Sequence, residues 1–173
     1  MKLLLPTIQK VFLYLLLVNI GLYAGMVFFH EMCPVETKLS AIEYVKYWKI
    51  ADGEFMNPRM SILGPALMGL FITTVLLHIK KWKTIFFLLL GLSFLFFVAE
   101  VVYINTQQMP INEFIRNVDL SSLAEGDIAK IEQLQAKSVS NFHVRFVFSM
   151  LSFVLLSITP FLFHKLDRKR SHN

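Results

Sequence analysis

Cysteine is nearly missing from this 173-residue chain, where Cys33 stands alone. One thiol excludes an internal disulfide and any site built from a cysteine cluster. Charge is scarce as well, at 17% of residues, against about 25% in an average soluble domain. Acid is scarcer still in three places. The N-terminus, the turn at 80–83 and the tail hold Lys2, Lys10, Lys80, Lys81, Lys83, Lys165, Arg168, Lys169 and Arg170, with Asp167 as their one acid. The chain has no phosphate-binding glycine loop, no dinucleotide-binding glycine motif and no Gly-x-Ser-x-Gly elbow. Repeats and low-complexity tracts are also lacking.

What fills the chain instead is apolar. Hydrophobic residues make up 55%, with 17 phenylalanines, and the mean hydropathy is +0.58. A soluble domain carries about 45–50%. The composition predicts an all-α, integral membrane four-helix bundle forming a single domain over 1–173, with the lipid bilayer as its solvent. Four runs are long enough to cross about 30 Å of hydrocarbon. They lie near 6–29, 58–79, 84–105 and 142–163, separated by long loops at 30–57 and 106–141. The first run is too long for a signal-peptide core and lacks a small-residue cleavage site, so it is expected to stay uncleaved. A pI of 9.4 would suggest nucleic acid in a soluble protein. Topology accounts for it here, and no nucleic-acid partner is implied. All three basic segments fall on one side of a four-span chain. By the positive-inside rule both termini are cytoplasmic and both long loops are outside, as in a multi-pass protein of a bacterial inner membrane.

Local signals refine this plan. Ser40 with Glu43 and Ser122 with Glu125 each read as a capping box. The first precedes an aromatic stretch, Tyr44 to Trp48, that predicts a short interfacial helix ended at Gly53. Pro58 suits a first helical turn, and Gly64-Pro65 and Pro160 predict bends. Gly21, Ala24 and Gly25 give the first helix a small face for close packing. Asn19 reads as a hydrogen-bonding residue between helices. From Asp127, apolar residues recur at helical spacing and no breaker precedes the last run. One fourth helix is therefore expected to extend outside the bilayer and then cross it.

The residues that could carry chemistry cluster near the long loops. Arg145 lies about 5 Å inside the start of the fourth run and Glu100 about 7 Å inside the end of the third. A charge at that depth needs a partner, and these two can meet. Asn57, Asn105, Asn112, Asn141, His30, Glu31 and His143 fall at similar depth. One reading is a cavity in which His143 acts as acid or base and Arg145 holds an oxyanion. The other is an ion pair that fixes helix register. His30 and His143, with Glu31 or Glu100, are the residues that could bind a metal or haem. No pair of them has i,i+3 or i,i+4 spacing, and no cofactor is expected.

Four features carry a resemblance. They are Gly21-Leu-Tyr-Ala-Gly25 followed by Phe28-Phe29, Asn57-Pro58 at the second helix, Pro110-Ile111-Asn112 after the third, and Phe142-His143-Val144-Arg145 at the fourth. In this order, over about residues 12–162, the chain resembles the anthrone oxygenase-like family of small four-span membrane proteins. The resemblance implies a four-helix membrane bundle and, as in a few fungal members, oxygenation of an anthrone to an anthraquinone. It implies His143, Arg145 and Asn112 as site residues, with Asn57 supporting. Joined to the reading above, the expected site has His143 moving a proton, Arg145 and Asn112 holding oxygen, and Glu100 orienting Arg145. Asn57, Asn105 and Asn141 would line it for a small lipophilic substrate. The alternative is a non-catalytic subunit of a membrane complex, with a membrane protein or a second copy as partner.

Overall fold

Proline sets the first boundary. Helix α1 runs Leu4–Met32 and stops where Cys33 precedes Pro34, since a residue before proline is disfavoured in helix. A 3₁₀ turn, Val35–Lys38, follows. Ser40 then caps α2, Ala41–Trp48, through the expected reciprocal box with Glu43. In the computed structural model, residues 4–171 are described, with side chains as far as His164.

The chain does not break at Gly53. A π-helical segment, Lys49–Met56, carries it straight into α3, Asn57–Leu77, with proline in the first turn as expected. After a basic turn, Thr84 caps α4, Ile85–Tyr103. A second π-helical segment, Ile104–Gln108, leads without a gap into α5, Met109–Asn117. Both long loops are thus largely helical. A π turn adds a residue and rotates the register, so side chains after it face a direction that plain helical periodicity does not give.

Helix α6 spans Glu125–Ser171, about 70 Å at 1.5 Å per residue, so the fourth helix does extend beyond its apolar run. The Ser122–Glu125 box is replaced. Ser122 Oγ donates to Asp119 Oδ2, and Asp127 Oδ2 accepts from the Ala124 N–H to secure the first turn. Helices α3 and α6 run on through Pro65 and Pro160.

Two apolar cores stack along α6. Leu13, Leu16, Ile20, Phe71, Phe86, Leu90, Phe97, Leu156 and Phe163 join the four long helices. Four described helices are long and apolar enough to cross a membrane. Ala41, Tyr44, Val45, Trp48, Ile111, Ile115, Val118, Ile131 and Phe142 form a second core. That core turns the long loops into a cap on the N-terminal half of α6. In the bundle, Ser93 Oγ donates to the Ser152 carbonyl at 2.8 Å, and Ser152 Oγ donates back to Ser93 at 3.0 Å. These reciprocal bonds tie α4 to α6. Gly21 lets α1 approach, because a Cβ there would stand 3.1 Å from the Phe153 ring. Ala24 is buried, whereas Gly25 is exposed. Asn19 is exposed too. Its amide bonds Leu15 of its own helix at 2.8 Å, so the cross-helix bond expected of it is not made.

Candidate functional site at the junction of cap and bundle

The last residue of the cap core on α6 is Phe142, and Arg145 follows one turn later inside the bundle. Polar groups gather at this boundary in two clusters with different degrees of completion.

The first cluster is a chain of side-chain hydrogen bonds. Tyr103 donates to Asn141 Oδ1 at 2.9 Å, and Asn141 Nδ2 donates to Gln108 Oε1 at 3.1 Å. Gln108 Nε2 donates to both Asn112 Oδ1 and Ser138 Oγ. Asn112 Nδ2 donates to Asp52 Oδ1 at 3.0 Å, and Arg116 Nη1 to Asp52 Oδ2 at 2.9 Å. Each π-helical segment contributes one buried residue, Asp52 from the first and Gln108 from the second. The register change turns these polar side chains inward. With donors matched to acceptors, the cluster welds α4, α5 and α6 to the segment before α3.

The second cluster surrounds Phe142. Its ring stacks on His30 at 4.9 Å and 17°, and on Trp48 at 6.0 Å and 14°. The Arg145 guanidinium lies 4.8 Å from the same ring. His30 Nδ1 stands 3.7 Å from Glu36 Oε1. Glu36 is brought there by the Pro34 turn, which Gln135 of α6 pins by donating to the Glu36 and Leu39 carbonyls. Below, Tyr23 donates to Glu100 Oε1 at 2.6 Å, and Arg145 Nε stands 3.6 Å from the same oxygen. Glu36 Oε1, Trp48 Nε1, Glu100 Oε2 and Arg145 Nε are buried without a hydrogen-bond partner.

Glu100 and Arg145 therefore meet, as their depths predict. Asn112 and Asn141 are buried and bonded in the first cluster, and Asn141 lies one turn before Arg145 on α6. Asn57 is half-buried. Asn105 is exposed and bonds Val101 of its own helix at 2.7 Å. His143 and Arg145 point apart, because two residues on a helix are about 200° from each other. The His143 side chain is 66% exposed and its Nδ1 lies 2.8 Å from Glu31 Oε1. His30 and His143, the two histidines that could have shared a metal, each meet a different carboxylate. Among the described residues no three His, Cys, Asp or Glu side chains gather as a metal set.

Sequence reasoning missed Tyr23, Glu36, Trp48, Asp52, Gln108 and Arg116. Glu36 carried a signal, an acid two residues past the proline that ends α1. Asp52 and Gln108 carried none, since a π turn leaves no mark in residue spacing. A shallow groove of about 190 Å³ lies where α5 meets α6, lined by Phe114, Asn117, Asp119 and Asp127 among others, and none of the residues expected at the site line it. Comparison with family models, with curated proteins and with solved structures gave no match.

Proposed function

We propose that this chain is a membrane enzyme of the anthrone oxygenase-like type, working at the boundary between cap and bundle, with His30 as its base. One observation supports this over a purely structural role. Four buried polar atoms around Phe142 lack partners, while the neighbouring Asp52–Gln108–Asn141 chain is bonded throughout. Buried polar groups are normally satisfied, so a cluster of exceptions points to a site that is completed by something else.

In this reading His30 takes a proton from an activated C–H or phenol of a small lipophilic substrate. Glu36 orients the imidazole and balances the imidazolium that forms. Trp48 Nε1–H and Arg145 polarise the substrate oxygen. In an anthrone-to-anthraquinone conversion the methylene carbon loses two hydrogens and gains one oxygen atom from dioxygen. The second oxygen atom leaves as water. Deprotonation supplies the electron-rich enolate for that reaction. By the positive-inside rule the basic end carrying both termini lies in the cytoplasm, and the cap lies outside.

The test is dioxygen uptake and anthraquinone absorbance with anthrone, using purified protein in lipid nanodiscs. His30→Gln is expected to lose about 100-fold or more in rate, the usual share of acid–base catalysis. His143→Ala is expected to stay within about twofold. Parent protein no faster than empty nanodiscs, or a loss confined to His143→Ala, would sink the reading.

A non-catalytic subunit is the second reading, and α3 favours it. That helix buries only Phe71 and Thr74 and leaves Ile62, Leu63, Ile72 and Leu76 exposed. A partner helix there would give cysteine crosslinks from Leu63→Cys in native membranes, while lipid alone would give none.

A further inference from the structure

Glu100 and Arg145 face each other from α4 and α6, yet they do not close. Glu100 is fully buried and Arg145 is 8% exposed. Arg145 Nε stands 3.6 Å from Glu100 Oε1, beyond hydrogen-bond reach. That oxygen already accepts from the Tyr23 hydroxyl at 2.6 Å. Arg145 Nη2 reaches the same hydroxyl at 3.5 Å. Glu100 Oε2 and Arg145 Nε are left bare. Guanidinium–carboxylate pairs frequently close with two parallel bonds, and this one does not. Tyr23 holds this one open.

We propose that the open Glu100–Arg145 pair binds a neutral hydroxyl of a lipophilic alcohol or phenol. The hydroxyl donates its proton to Glu100 Oε2 and accepts from Arg145 Nε. This rests on the reading of the junction as a substrate site and names the ligand class it takes.

Charge decides between a hydroxyl and an anion. Glu100 cancels Arg145, so an incoming carboxylate or phenolate meets a neutral pair and gains little for the water it sheds. It also has no proton to give Glu100 Oε2. A hydroxyl carries the donor and the acceptor that the two bare atoms require. The surroundings suit an apolar body. Phe97 packs edge-on to Tyr23 at 6.1 Å, and Phe142 lies under the guanidinium. Of the three polar residues Tyr23 alone is half-buried, so it is the edge through which the pair reaches the bundle surface.

Fluorine NMR of 4-fluorophenol and 4-fluorobenzoate, titrated into nanodisc-embedded protein near neutral pH with empty nanodiscs subtracted, tests this. The parent protein is expected to bind the phenol saturably and the benzoate about tenfold more weakly or worse. Glu100→Gln removes the balancing charge and is expected to reverse that order. Tyr23→Phe removes the hydroxyl that holds the pair open, so guanidinium and carboxylate can close on each other and phenol binding is expected to be lost, which preserves the test if Glu100→Gln does not fold. The proposal is overturned if the parent takes up neither probe beyond empty nanodiscs, since solvent would then complete the pair, or if Tyr23→Phe binds the phenol as well as the parent does. Preferential benzoate binding by the parent overturns it equally. Any of these failures leaves proton removal by His30 standing on its own rate measurement. Phenol binding without turnover would sink the enzyme reading instead.

Discussion

The His30 imidazole lies 17° from parallel to the Phe142 ring at 4.9 Å, which joins the end of α1 to the last cap residue of α6. Trp48 stacks on the same phenylalanine. Aromatic pairs of this kind contribute about 0.5–1.5 kcal/mol each beyond buried area. Phe142→Leu keeps an apolar side chain and loses both stacks. It is expected to cost about 1–3 kcal/mol in detergent-induced unfolding. Trp48, 3% exposed, should shift its emission to the red in a Trp82→Phe background. Unchanged emission would show that the stack does not hold Trp48 in place.

The bundle was legible because lipid is a demanding solvent. Backbone polar groups must bond internally, so Pro6–Phe29 and Thr84–Asn105 could only be helices. The extension of α6 was legible from Ile128, Ile131 and Leu134 at helical spacing. The Glu100–Arg145 meeting followed from depth alone. His143 was placed by depth, which says nothing about direction; on α6 the inward face is set by Phe142 and Arg145, and His143 turns away from it to Glu31. Asp52 and Gln108 stayed hidden because their inward turn depends on π-helical registers that the sequence does not print. Glu36 joins His30 because the Pro34 turn folds the chain back on the end of α1, and the acid just past that proline was the local signal that went unread.

Arg116 and Asp52 give the bonded cluster its one charge pair, at 2.9 Å, with side chains 26% and 8% exposed. Arg116→Met leaves the Asp52 carboxylate with Asn112 as its remaining side-chain partner. Removing one member of a fully buried pair costs about 3–5 kcal/mol, and the partial exposure here puts the expected loss near 2 kcal/mol. Adding Asp52→Asn removes the stranded charge. The double variant should therefore be more stable than Arg116→Met alone. An equal or lower stability of the double variant would mean that the carboxylate is not stranded.

At the tip of the cap, Asp119 accepts from the Ser121 backbone N–H at 2.9 Å and from the hydroxyls of Ser121 and Ser122. These bonds, the backbone one foremost, hold its carboxyl below the usual carboxylate range. A depressed folded-state value means that the turn is stabilised above the ordinary aspartate value, about 3.9. That contribution is lost as pH falls through the lower folded value. Hydrogen-exchange protection at residues 119–124, taken relative to the intrinsic rate at each pH, should fall on acidification below about pH 4, while the stacked core around Trp48 stays protected. Asp119→Asn should exchange quickly at every pH. Protection that does not change with acid in the parent would rule out Asp119 as the clasp of the turn.

Gly21 and Gly25 lie one turn apart on α1 and predict opposite outcomes. A methyl at Gly21 would stand 3.1 Å from the Phe153 ring, so the ring must move, whereas a methyl at Gly25 meets nothing within 4 Å. Gly21→Ala is thus expected to lose about 1–3 kcal/mol from overpacking, partly offset by its gain in helix propensity. Gly25→Ala keeps that gain, about 0.8–1 kcal/mol, without the clash. Equilibrium unfolding in mixed micelles should separate the two by more than 1 kcal/mol in the stated order, with the ordering independent of whether the junction binds a ligand. Combining Gly21→Ala with Phe153→Leu should recover part of the loss, because the smaller side chain yields the space. A pair of glycine variants that behave alike would mean that α1 does not rest on Phe153, and that the approach of α1 to α6 is set elsewhere.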